Sequence, residues 1–180
     1  MKGIVFSLLE KVVVAEHGAD TWDALLDGAG VGGVYTSLGN YPDEELFSLV
    51  GEASKQLDVE PDAVVSWFGR GSIPLFAESY PQFFEGHDDT RSFVLTLNAI
   101  IHPEVRKLYP GAVVPDFDFD TSEADVLRMG YVSPRKMCAF AEGLIAGAAD
   151  HYGESVAIEQ PECMNRGAER CILEIRFSPQ

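Results

Sequence analysis

Positive charge is what this chain has least of. Thirteen lysines and arginines stand against 29 aspartates and glutamates, for a net charge of −16 over 180 residues. Phosphate backbones and anionic lipid surfaces repel such a chain, so neither nucleic acid nor a membrane surface is expected as a partner. Long apolar runs are missing as well, and no stretch approaches the roughly 18 residues of a membrane span. The opening MKGIVFSLLEKVVVAEHG is broken by Glu10 and Lys11, and no small-residue cleavage pattern comes after it, so a signal peptide is not expected. Cysteine is scarce and odd in number, three in all, which suits a reducing compartment better than a disulfide framework. The expectation is a cytoplasmic protein. No G-x-S-x-G, phosphate loop or histidine-rich metal motif occurs, and the acidic pairs Glu44-Glu45 and Asp88-Asp89 suit helix starts and solvated loops, so no enzyme is expected.

The rest is ordinary globular composition, 46% hydrophobic and 23% charged, enough for one domain with its own core. Helical periodicity dominates the first two-thirds. Segments beginning at Lys2, Ala19, Pro42, Glu60 and Asp89 read as helices, the fourth lasting until Gly71 or Pro74. Asp89 is placed to cap the last of these, and Pro110-Gly111 to stop it. The period then shortens. In PDFDFDTSEADVLRMGYVS, Phe117 and Phe119 alternate with aspartates as in a strand. PRKMCAFAEGLIAGAADHYG returns to helix, and ESVAIEQPEC and ERCILEIRF flank a turn at MNRGA as two antiparallel strands. The fold class is α+β: helices first, then an antiparallel sheet carrying one more helix.

Within that frame, LNAIIHPEVRKLYPG puts His102 and then Pro103 inside an apolar helix pattern. Of the four histidines only this one lies among apolar residues. At about 100° per residue the main stripe is Phe93, Leu97, Ile100, Ile101 and Leu108. His102 falls on a flank with Leu95, Asn98 and Val105. A proline costs the helix an amide donor and crowds the carbonyl four residues back, so it kinks or restarts the helix just behind the imidazole. A satisfied core histidine and a ligand both remain open on this ground. Further on, Tyr131, Ser133 and Arg135 in YVSPR fall on one side of an extended chain and present a phenol, a hydroxyl and a guanidinium together. Such a set suits carboxylates. A strand-to-helix turn capped by Ser133, with Pro134 as first helical residue, explains the same letters.

Taken together, His102 with PEVRKLYPG behind it and Tyr131-x-Ser133-x-Arg135 resemble the haem-nitric oxide/oxygen-binding (H-NOX) family. The likeness covers essentially the whole chain, including the opening MKGIVF, TWDALL, Pro115 and the terminal CMNRGAERC. It implies a single domain over 1–180, with a distal helical part over about 1–60 and a proximal helix and sheet part over about 61–180, and haem between them. It implies that His102 is the iron ligand, that Tyr131, Ser133 and Arg135 hold the propionates, and that Pro115 presses on the haem. No C-x-x-C-H is present, so the haem would be noncovalent haem b.

Oxygen-binding members carry a distal tyrosine five residues past the arginine; Phe140 stands there, and the other expected pocket residues, Val5, Leu9 and Leu144, are apolar. Oxygen on ferrous iron gains charge and needs a donor, whereas nitric oxide and carbon monoxide depend on one far less. The resemblance therefore implies a nitric oxide sensor, also binding carbon monoxide, that excludes oxygen and signals by breaking the Fe–His102 bond. The implied partner is a histidine kinase or a cyclic-dinucleotide enzyme. Some members also hold zinc through three cysteines and a histidine; Cys138, Cys163 and Cys171 match, but Gln160 stands at the histidine position. Zinc and reduced or redox-active thiols both remain open there. A rival likeness, to the haem-free vinyl reductase-type small-molecule or zinc-binding domain, covers the C-terminal part and would leave His102 structural.

Overall fold

Glycines and prolines punctuate the chain into short helices before the sheet begins. The structure, a computed structural model, describes residues 1–179. Helices α1 (Gly3–His17), α2 (Ala19–Ala29), α3 (Asp43–Leu57) and α4 (Pro61–Ser79) form the first layer. Asp43, Glu44 and Glu45 fill the first turn of α3, where the helix dipole favours acids. The α4 helix passes the expected stop: Pro74 lies inside it, and the helix runs one turn further to Ser79. Packing overrides propensity here. Gly69, Gly143 and Gly147 let α4 and α7 (Cys138–Tyr152) approach until a Cβ on Gly143 would stand 2.0 Å from the Ser66 carbonyl oxygen. Contact this close along most of both helices outweighs the donor that Pro74 lacks.

The sheet is wholly antiparallel, in the order β1-β2-β4-β3. The expected strand at PDFDFD is β1 (Asp116–Asp120), and the stretch after it folds back as β2 (Leu127–Val132). β3 (Glu154–Glu162) and β4 (Cys171–Pro179) are the expected pair, joined by a 3₁₀ turn at Met164–Arg166. Leu127, Met129 and Tyr131 of β2 and Cys171, Leu173 and Ile175 of β4 point to one face and are buried. Leu127, Met129, Leu173 and Ile175 make one core with Ile73, Val94, Ile145 and Ala148, while Phe6, Leu9, Trp22, Leu46 and Phe68 make another among α1–α4. Tyr131 and Cys171 join Cys138, Ala141 and Cys163 in a smaller cluster. α4 contributes to both cores.

The segment between α4 and β1 is the least regular. Asp89 caps α5 (Thr90–Leu95), accepting from the Ser92 main-chain N–H at 2.7 Å, as its position predicted. One π-helical turn (Leu97–Ile101) comes next, and α6 (His102–Leu108) restarts directly at the histidine with Pro103 in its first turn. The Thr96 carbonyl oxygen accepts from both Ile100 N–H (2.8 Å) and Ile101 N–H (3.3 Å), the second being the five-residue spacing of a π turn. The extra residue absorbs the phase slip that Pro103 demands.

Candidate functional site

A cavity of about 330 Å³ opens between the two cores. That lies at the small end of the range for cofactor sites, roughly 300–1,000 Å³. His102 lines it, with Leu97, Ile101 and Val105 from the same wall. Ile100, placed on the core stripe by a regular helical period, is 49% exposed instead. The π turn is the reason: one added residue rotates the downstream helix by about 100°, taking Ile100 outward and bringing His102 in.

His102 makes no hydrogen bond to another described residue; its ring stacks on Phe117 with centroids 5.3 Å apart. Burial pushes its pKa down to about 4, with Arg106 adding to the effect and Asp116 opposing it. The imidazole is therefore neutral at physiological pH and has a nitrogen free to coordinate, which is what a metal ligand requires.

Tyr131, Ser133 and Arg135 line the same cavity. The strand carrying Tyr131 ends at Val132, so Ser133 and Arg135 sit in a turn rather than along a strand. The helix-capping alternative for Ser133 does not hold either, because α7 starts only at Cys138. The Ser133 hydroxyl instead accepts from the Arg135 main-chain N–H at 3.3 Å. Tyr131 is 2% exposed. Burial raises its pKa against the pull of Ser133 and the Met137 main chain, so the phenol stays a donor.

Arg135 has partners no local pattern indicated. Its Nε donates to Asp43 Oδ2 at 2.7 Å and its Nη1 to the Val113 carbonyl at 2.9 Å. Asp43 Oδ1 also lies 2.5 Å from the Met1 ammonium. Burial acts to raise the Asp43 carboxyl, but hydrogen bonds from the Met1 ammonium and Arg135 outweigh it and hold the group below its usual range. The three charges sum to +1 beside an apolar cavity in a strongly acidic protein. Asp43 is 92 residues from Arg135 in sequence, and only folding brings them together.

Val5, Pro115, Phe140 and Leu144 all line the cavity. Leu9 does not. Ile4, Val5 and Leu8 centre the cavity face of α1, whereas Leu9, a further 100° round the helix, packs into the helical core at 4% exposure. Every side chain that α1 and α7 give to the cavity is apolar: Ile4, Val5, Leu8, Phe140, Ala141, Leu144 and Ile145. Tyr80 and Tyr109 also border it, but their hydroxyls hydrogen-bond to each other at 2.6 Å.

The residues present fit haem. The cavity supplies an apolar chamber, one buried neutral imidazole, and a cluster of hydroxyl and guanidinium donors suited to two carboxylates. Away from the cavity, Cys138, Cys163 and Cys171 converge into one buried group of free thiols. Burial pushes Cys138 up to about 12 and raises Cys171 too, whereas main-chain and thiol hydrogen bonds overcome burial at Cys163 and lower it. No helix among the described residues is long and apolar enough to cross a membrane.

A family model described as haem-NO-binding matches residues 2–160. Among solved structures, the fold matches an H-NOX protein from S. oneidensis in the Fe(II)NO ligation state, at 34% identity over 99% of each chain and TM-score 0.92. An NMR structure of the Shewanella oneidensis SO2144 H-NOX domain in the Fe(II)CO ligation state matches at 34% identity over 100% of both chains and TM-score 0.89. The Fe(II) unliganded H-NOX protein from K. algicida matches at 28% identity, over 100% of this chain and 98% of that one, with TM-score 0.88.

Proposed function

The chain belongs to the haem-NO-binding (H-NOX) family of haem-based gas sensors, and we propose that it senses nitric oxide, binding it and carbon monoxide at ferrous haem b while excluding oxygen. The observation that carries this reading is the composition of the wall that α1 and α7 give to the cavity, which contains no hydrogen-bond donor among its side chains. Haem would supply a ferrous centre with one position open to a diatomic ligand. The wall disfavours oxygen specifically, because bound oxygen accumulates negative charge that only a donor stabilises.

In this reading His102 is the iron ligand through its neutral imidazole, and Tyr131, Ser133 and Arg135 hold the two propionates. Asp43 orients Arg135 for that task, and its charge is balanced by the Met1 ammonium. Pro115, beside β1, lines the cavity and would press on the haem. If the bond between His102 and iron were broken, α6 would be the element set to respond, through the π turn at which the Thr96 carbonyl accepts from both Ile100 and Ile101. The movement would be read by a histidine kinase or a cyclic-dinucleotide enzyme, the partner classes that the family resemblance implies. The chain acts as a sensor, with no catalytic role assigned to it. Zinc does not enter this reading, because Cys138, Cys163 and Cys171 leave a four-coordinate site one ligand short.

The test is spectroscopic. Expressed with haem available, the protein should be red, show an intense Soret band, and bind nitric oxide and carbon monoxide when ferrous. His102→Gly should lose or shift that band until imidazole is added. A ferrous oxygen complex stable in air at neutral pH would overturn the selectivity, and a colourless protein after haem supplementation would favour the haem-free small-molecule-binding alternative.

A further inference from the structure

Three cysteines far apart in sequence meet at the end of the molecule where α7 crosses the β3–β4 hairpin. Their sulfurs all lie within 4.8 Å of one another, Cys138 and Cys163 being 3.7 Å apart. All three residues are buried, at 3% exposure or less. The surroundings are built to donate to sulfur. The Met164 main-chain N–H donates to Cys171 Sγ at 3.2 Å, and the Asn165 amide, held by the Lys136 carbonyl at 3.0 Å, reaches Cys138 Sγ at 3.9 Å. The Met164 thioether, itself a soft group, packs against the cluster.

Gln160 decides the coordination number. Its side-chain oxygen accepts from Arg166 Nη1 at 3.4 Å, and Arg166 Nη2 donates to the Gln160 main-chain carbonyl. The guanidinium therefore turns the amide oxygen, the only atom of a carboxamide that readily ligates a cation, away from the sulfurs. The amide nitrogen is buried and directed at Cys138, where it favours the thiolate. A buried amide donor aimed at sulfur is best satisfied by a strong acceptor. Neutral thiols are poor acceptors, while metal-bound thiolates are good ones. The family's zinc arrangement does not fit this set, because zinc in structural sites takes four ligands.

We propose that Cys138, Cys163 and Cys171 form a three-thiolate site for a soft, three-coordinate monovalent cation of the cuprous class, with Gln160 donating an N–H to the sulfurs instead of ligating. Thiolates select such soft cations over harder ones. Binding forms three metal–sulfur bonds and releases the three thiol protons to solvent, with no change of oxidation state. Three thiolates and one monovalent cation leave a charge of −2, which the sulfur-directed N–H groups and Arg166 offset. None of the three cysteines lines the haem cavity, although Tyr131 packs against the cluster and borders both sites.

The experiment uses the full, reduced chain under anaerobic conditions. Copper(I), supplied as its acetonitrile complex, is titrated against bathocuproine disulfonate, and zinc is titrated in parallel against a chromogenic chelator. The wild-type chain should take one copper(I) with three sulfur scatterers by X-ray absorption, unchanged in ligand set by Gln160→Ala. Gln160→His should hold zinc at least about 100-fold more tightly than wild type, since a gained ligand is worth no less than the 10–100-fold carried by outer-shell partners. Zinc held as tightly by wild type as by Gln160→His would overturn the proposal. So would a light-atom scatterer that disappears in Gln160→Ala, or copper(I) uptake no greater than that of Cys138→Ser. The haem Soret band, read in the same samples, reports separately on the gas-sensing reading.

Discussion

Tyr80 and Tyr109 share a hydrogen bond of 2.6 Å between their hydroxyls, joining the end of α4 to the end of the helix that begins with His102. Among the described residues this is the side-chain bond that ties the far end of α6 to the first helical layer. Burial, then the Tyr80 hydroxyl, raises the Tyr109 pKa, so the Tyr109 phenol stays protonated. Tyr109→Phe removes the bond without changing ring volume. It should cost about 1 kcal/mol in urea unfolding, the usual net value of one such bond, and speed amide exchange in α6 more than in α7. Equal acceleration in both helices would deny the bond its local role.

Asp43→Asn should weaken the chain by about 1–3 kcal/mol, because it leaves the Met1 ammonium and Arg135 without their shared charge partner. The folded-state pKa of Asp43 lies below its ordinary 3.8, so its stabilisation is complete above that value and disappears as pH falls through the lower folded value. The wild type should therefore lose more stability than Asp43→Asn on acidification below about 4. Haem retention should fall in the variant even at neutral pH, because Arg135 is no longer oriented.

His102 gives acid sensitivity of the same sign, at higher pH. Its folded value near 4 lies below the ordinary 6.5, so the unfolded chain takes up the proton first. Stability in the haem-free chain should be level above about 6.5, decline as pH drops toward 4, and level off again below that. His102→Gln, which does not titrate, should flatten that part of the profile in denaturant midpoints measured across the range.

Phe140→Tyr places a phenol on the one cavity wall that has no donor. Oxygen affinity should rise by about 10- to 100-fold, as one new hydrogen bond to a charged group of about 1.5–3 kcal/mol implies, while carbon monoxide affinity changes little. Laser-photolysis rebinding of both gases would measure this. Similar changes for the two ligands would mean that the substitution alters only space.

Gly143→Ala should destabilise by about 1–3 kcal/mol or more, since its Cβ would stand 2.0 Å from the Ser66 carbonyl and neither helix backbone can give way. Gly153→Ala lies at a left-handed φ of 69° in open space, and its cost comes from backbone strain alone. Thermal unfolding of the pair separates close helix approach from backbone conformation.

Local signals in the residues settled most of the architecture. Acidic helix starts, the Asp89 cap, the alternation at Phe117 and Phe119 and the MNRGA turn each act over a few residues, and each is found where its spacing put it. His102 and the group of Tyr131, Ser133 and Arg135 each stayed open on their chemistry, and only the resemblance to the H-NOX family joined them as a set. What local reasoning misplaced depended on distance. Pro74 continues a helix because α7 packs tightly on α4 through Gly143 and Gly147, far away in sequence. Leu9, expected in the pocket from the family resemblance, is absent from the cavity lining, where Leu8 stands, because the direction of that face is set by what α1 packs against.

The sequence by itself therefore determined the helical and strand elements, the acidic surface and the identity of the metal-capable side chains, all of which come from local periodicity and residue chemistry. Only the tertiary structure decided that a π turn aims His102 into the cavity, that Asp43 restrains Arg135, and that Arg166 turns the Gln160 oxygen away from three sulfurs. Hydrogen bonds and ion pairs depend on distance and angle in space, and a linear sequence records neither until the chain has closed on itself.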